Sequence, residues 1–230
     1  HFLRHDAVPG DDVDASAGFR ERMADTVSAL LVRNVWLSVV VCTLTLSGMW
    51  MGYTFGPLYW VQIGNLSTEK MGSLASTSGL VQLVWVVGIP IASNYIGRRP
   101  AAILFLGLAA SQMLSLYFVG PTTTTTVLYV LLGGVAGSVT TLFMAILPVE
   151  SVPPRLAATS SSLIMGTGEI VGGAIAPMVA GAYADQLGLP VVLLIGGVCL
   201  AIGAVISVFF KETRVPRHAK LTMPLTPSIK

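Results

Sequence analysis

Charge is scarce in this 230-residue sequence, and over long stretches there is none. The fifty residues between Arg99 and Glu150 contain no charged side chain, and between Arg155 and Asp185 only Glu169 carries one. Charged residues make up 10% of the chain, against about a quarter in ordinary soluble domains, and 53% is hydrophobic with a mean hydropathy of +0.78. That balance excludes an ordinary soluble domain. Cysteine is nearly absent too. Cys42 and Cys199 both fall inside apolar runs, where they act as small hydrophobes, so neither a disulfide framework nor a zinc site is expected. The three histidines, His1, His5 and His218, sit in the polar ends, and no nucleophile stands near a base. No cofactor or metal is expected, and a membrane-embedded enzyme is disfavoured. Nor does any basic stripe interleaved with aromatics suggest a nucleic-acid partner.

What the sequence does have is six apolar runs, each near the roughly 20 helical residues that cross a bilayer core. They cover about 34–56, 71–95, 101–119, 127–148, 157–183 and 190–210, with "GPTTTTT" at 120–126 read as a loop separating the third from the fourth. Long continuous runs without alternating polarity predict helices, so the fold class is an all-α membrane protein with six transmembrane helices. Before them, residues 1–33 are polar, with Phe19, Met23, Val27, Leu30 and Leu31 at helical spacing. That pattern fits either an amphipathic helix at the membrane surface or a short helical linker. The opening residues resemble neither a signal peptide nor a translation start, so the chain is expected to begin within a longer protein. Residues 211–230 form a polar tail. Of the loops on one side, only Lys70 is basic, whereas Arg98, Arg99, Arg155 and the basic residues of both ends share the other. The positive-inside rule therefore places both termini in the cytoplasm of a plasma or inner membrane.

Polar residues are unevenly shared among the spans. The third and sixth carry almost none and are expected to face lipid. The first holds Trp50 and Tyr53, the second Gln82, and the fifth Glu169, with Gln82 and Glu169 both near the bilayer centre at 1.5 Å per residue. An acid at that depth costs at least about 2.5 to 3.5 kcal/mol on insertion scales, so it normally faces a polar cavity and marks an ion or substrate path. Glu169 is accordingly the first candidate for proton coupling or substrate binding, a structural carboxyl bonded to a neighbouring helix being the alternative. Gln82 either meets substrate or ties two helices together. Trp50 and Tyr53 offer a stacking platform or belong to the interfacial aromatic belt. Pro90 and Pro177 are expected to bend their helices. Gly168, Gly172, Ala176 and Ala180 form a small-xxx-small stripe suited to close helix packing.

The segment after the second run reads "SNYIGRRPA", with Gly97, Arg98 and Arg99 closing it. It resembles the Gly-x-x-x-Asp-Arg-x-Gly-Arg-Arg loop of the major facilitator superfamily. Asn94 stands in the place of the Asp, Tyr95 in that of the Arg and Pro90 in that of the first Gly. "LPVESVPPRLAATSSSLIMGTGEIVGGAIAPMVAGAYAD" at 147–185 is similar to the region joining the tenth and eleventh helices of that superfamily, and "FFKETR" at 209–214 to the exit from the twelfth. The resemblance spans most of residues 34–214. It implies the carboxy-terminal six-helix half of a twelve-helix transporter, whose partners would be the amino-terminal half, a small organic solute, protons and the lipid bilayer. It further implies alternating access, most simply as proton-coupled symport, with proton-coupled efflux and a non-transporting six-span binding or regulatory module as alternatives. Asn94, Gly97, Arg98, Arg99, Glu150 and Arg155 would form the cytoplasmic gate; simple positive-inside anchoring is the plainer role for the arginines.

Overall fold

The computed structural model describes residues 32–213 together with Ser28; the expected surface helix built on Phe19, Met23, Val27, Leu30 and Leu31, and the tail beyond 213, lie outside the described residues. Six helices are long and apolar enough to cross a membrane: α1 (Arg33–Gln62), α2 (Thr68–Ile96), α3 (Arg98–Phe118), α4 (Thr123–Ser151), α5 (Pro154–Ala184) and α6 (Leu189–Ser207). The chain is an all-α integral membrane protein, as its charge-free intervals indicate.

The boundaries differ most from expectation at two places, each for a local reason. Helix α1 runs through Gly56 and Pro57 to Gln62. Beyond the proline, Tyr59 donates its hydroxyl to the Leu116 carbonyl at 2.7 Å and Trp60 is almost wholly buried, so packing against α3 and α4 carries the helix past two residues that favour its end. The threonine run is mostly not a loop. Thr122 caps α4: its hydroxyl accepts from the Thr125 N–H at 3.3 Å, and the Thr125 hydroxyl accepts from the Thr122 N–H at 2.8 Å. This reciprocal pair starts the helix at Thr123 despite the modest helix propensity of threonine.

Two of the turns, at opposite ends of the bundle, are as short as they can be. A single residue, Gly97, separates α2 from α3, and Gly188 separates the extension of α5 to Leu187 from α6; they hold φ of +102° and +82°, a region that disfavours any side chain. Helices α1, α3 and α6 make the tightest part of the bundle. A Cβ on Gly48 would come within 2.7 Å of the Gly196 carbonyl oxygen, and Leu106, Leu193 and Leu200 are almost fully buried around that crossing. The third and sixth spans were expected to face lipid; each leaves one face exposed, through Leu104 and Phe118 or Val198 and Val205, and packs the other into the bundle. Their lack of polar groups serves that interior contact as well. Exposure is concentrated instead on α2 and α5, where only 11% and 22% of the apolar stretch is buried, against 56% for α1.

Helix α5 lies on α1 through the predicted small-residue stripe. A Cβ at Gly172 would strike the Thr43 carbonyl oxygen and would stand 3.0 Å from the Ser47 nitrogen, while one at Gly168 would stand 2.9 Å from Leu46. In a bilayer, where apolar burial drives little, such backbone approach is what holds helices together. Both α4 and α5 contain a widened π-helical stretch, Leu142–Ile146 and Gly168–Ile175, each ending within two residues of a proline, Pro148 or Pro177. A proline has no N–H to give and its ring collides with the carbonyl four residues back, so a wider turn accommodates it with less conflict. Pro90 shows no such widening, and α2 continues through it to Ile96.

Candidate functional site

Two polar constellations stand out, one halfway along the helices and one at the end of the bundle that carries Arg98. The first assembles side chains from α1, α2 and α5. Gln82 and Glu169 lie at the middle of α2 and α5, so both are near mid-membrane depth. Trp50 and Tyr53 project from the same stretch of α1, with ring centroids 6.2 Å apart in an edge-to-face arrangement. On one side of this pair the Tyr53 hydroxyl reaches Gln82 Oε1 at a long 3.4 Å. On the other side Trp50 and Glu169 border the same glycine. A Cβ on Gly173 would lie 2.6 Å from Glu169 Oε2 and 3.0 Å from Trp50 Nε1.

Glycines on α4 make the other half of the seat. A Cβ on Gly137 would stand 2.9 Å from the Tyr53 hydroxyl and 3.0 Å from Gln82 Nε2, and one on Gly134 would overlap Gln82 itself. The absent side chains let Gln82 lie across α4 and bring α2 within reach of α1. The four residues singled out from sequence, Trp50, Tyr53, Gln82 and Glu169, therefore form one continuous cluster. Trp50 and Tyr53 are exposed, at 37% and 40%, and Glu169 and Gln82 are half-buried. Among the described residues Glu169 makes no hydrogen bond or ion pair. It also lies within the π-helical stretch of α5, where the backbone register departs from the regular helix. A carboxylate with free acceptor positions can take a proton, a cation or a donor group of a solute.

The second constellation is saturated. Arg98 makes a two-pronged contact with Glu150 at the end of α4, Nη2 to Oε1 at 2.7 Å and Nε to Oε2 at 3.2 Å, and Nη1 donates to the Ser93 hydroxyl at 2.5 Å. Thr213, just past α6, donates to Glu150 Oε2 at 2.6 Å. The carboxylate of Glu212 accepts the first two backbone N–H groups of α3, those of Arg98 at 2.8 Å and Arg99 at 3.2 Å, so an acid sits where the helix has unsatisfied donors and a positive end. A Cβ on Gly97 would lie 2.6 Å from Glu212 Oε2, which adds a second demand for glycine there to that of its φ. Asn34 completes the ring. Its amide donates to the Ser151 hydroxyl at 3.2 Å and the Lys211 carbonyl at 3.1 Å, and its Oδ1 accepts the Lys211 N–H at 3.0 Å.

Of the gate residues expected from sequence, Gly97, Arg98 and Glu150 converge. Arg99 contributes its backbone N–H, and its side chain is exposed. The Asn94 side chain is exposed and makes no hydrogen bond among the described residues. Arg155 lies near the start of α5, exposed, and engaged in an interaction of its own. Sequence reasoning missed Asn34, Ser93, Glu212 and Thr213. Glu212 had a signal: an even number of spans returns "FFKETR" to the end of the bundle where Gly97, Arg98 and Arg99 sit, and Glu212 is the acid within it. No family model matches the chain, and no curated protein matches it.

Proposed function

We propose that this chain is the carboxy-terminal half of a secondary active transporter of the major facilitator type, moving a small organic solute by alternating access in symport with protons. The observation that carries the reading is the meeting of Trp50, Tyr53, Gln82 and Glu169 from three helices at mid-membrane depth, beside the two helices with most of their surface uncovered. Polar groups are costly at that depth and mark paths for ions or solutes. On this reading the exposed faces of α2 and α5 meet an amino-terminal six-helix half, and the solute binds between the halves. Glu169 holds the coupled proton, Gln82 and Tyr53 hydrogen-bond the solute and Trp50 stacks on it. The Arg98 end is cytoplasmic, and its network keeps the helix ends together in one access state and loosens in the other. Efflux by the same architecture reverses the direction without changing these roles.

The test is Glu169→Gln in the complete protein, reconstituted into vesicles with an imposed pH gradient. The substitution keeps the size and removes the exchangeable charge. Solute exchange across the membrane persists, whereas accumulation driven by the pH gradient is lost. Accumulation at the wild-type level would exclude Glu169 as the coupling group and return it to a structural part.

A further inference from the structure

Behind Tyr53, on the side of α1 that faces into the bundle, residues of α1, α2, α3, α4 and α6 line a partly open chamber of about 40 Å³. No charged side chain lines it; its polar groups are Gln112, Ser78, Tyr53 and Tyr129. Gln112 projects from α3 and is only 8% exposed. Its backbone carbonyl accepts the Ser115 hydroxyl at 2.6 Å, but among the described residues no group bonds its carboxamide, which carries two donor hydrogens and an acceptor. Buried polar groups left without any partner are rare, because they forfeit their hydration with nothing in return. Ser78 is already committed, donating to the Tyr129 carbonyl at 3.2 Å.

The wall facing Gln112 is made by glycines that helix packing does not require. Gly48, one turn away, is demanded by the close approach of α6. At Gly56, by contrast, a Cβ would meet nothing nearer than Tyr129 Cε2 at 3.8 Å, and at Gly52 the nearest atom is the flexible end of Met113 at 3.3 Å. Glycine is the poorer helix former of the two at such positions, so alanine would suit the helix better. What the two glycines keep open is the chamber. Its volume accommodates about two or three water molecules.

We propose that the chamber is a built hydration site. Two or three waters bind the Gln112 carboxamide and bridge it to the tyrosine hydroxyls, so that the interior of the bundle carries water on the far side of α1 from Glu169. The site takes small uncharged molecules that both donate and accept hydrogen bonds. A charged group would find no counter-ion there. Nothing in this depends on whether the protein moves a solute.

The experiment has two arms, both in the complete protein. Gln112→Met keeps the shape and removes the amide. With water bound, the variant loses those hydrogen bonds, so its thermal midpoint falls by about 2 °C or more. In a dry chamber the same change removes an uncompensated amide, so a midpoint at or above that of wild type overturns the proposal. The second arm places a thiol in the chamber with Gln112→Cys, after Cys42→Ala and Cys199→Ala, and follows its reaction with methyl methanethiosulfonate, a small uncharged reagent. The reacting species is the thiolate, which needs water around it. Labelling at least tenfold faster than at Leu106→Cys, a wholly buried position on the same helix away from the chamber, supports the hydrated site; equal rates overturn it, and this arm stands even where the methionine variant does not fold.

Discussion

The Arg98 end and the mid-membrane cluster both gather polar side chains from several helices and use them in opposite ways. At the Arg98 end nearly every donor meets an acceptor, with the guanidinium spending three of its N–H groups and Glu150 accepting from two residues. In the cluster, four polar or aromatic residues share one long hydrogen bond, and Glu169 has no bond at all among the described residues. A saturated network stabilises the arrangement it belongs to. An unsaturated one leaves its valences for something that comes and goes. On the proposed reading, the contrast separates the part of the chain that sets the shape from the part that binds the solute.

That contrast can be broken most directly at Arg98. Arg98→Ala leaves a partly buried carboxylate and a hydroxyl without their donor, and is expected to cost about 2 to 4 kcal/mol, checked by unfolding in detergent. The double variant Arg98→Met with Glu150→Leu removes both charges and should recover most of that loss; a cost below about 0.5 kcal/mol for Arg98→Ala would place the network among weak surface pairs. The next largest effect is expected where α5 touches α1. Gly172→Val pushes against the Thr43 carbonyl and the Ser47 backbone, and overpacking of this kind costs about 1 to 3 kcal/mol. A melting curve unchanged by this substitution would show that the two helices are not in contact there. The smallest stability effect belongs to the cluster. Gln82→Leu gives up a single 3.4 Å hydrogen bond, so its stability should stay within about 0.5 kcal/mol of wild type, while solute transport by the complete protein falls at least tenfold. Loss of both together would make Gln82 a helix tie.

The six spans and the depth of Gln82 and Glu169 were legible because hydropathy and length are local quantities and 1.5 Å per residue converts one into the other. The cluster was legible in its members but not in its contacts. That Trp50 and Glu169 both border Gly173, whose missing side chain leaves room for them, is hidden until α5 is set against α1. The threonine run misled because composition points to a loop, whereas two hydroxyls at the right spacing make a helix cap. Gln112 went unseen for the opposite reason. Averaged over "AAILFLGLAASQMLSLYFV", one carboxamide barely lowers the hydropathy, and only the packing of α3 and α6 shows that it points inward. The Arg98 network needed partners drawn from four separate parts of the chain, at residues 34, 93, 150–151 and 211–213, which no motif spacing encodes.

The widened stretch of α5 gives that helix an internal degree of freedom that α1, α2, α3 and α6 lack. A π turn stores one residue more than the same height of α-helix needs, and a helix that takes up or releases this residue shifts its register by one position, turning about 100° and sliding about 1.5 Å. Pro177 anchors one end of the surplus, so the slack can travel only towards Pro154, past Glu169. The acid then behaves like a tooth on a winding shaft: it can be presented to Trp50 or swung away from it while both ends of the rod stay clamped in place.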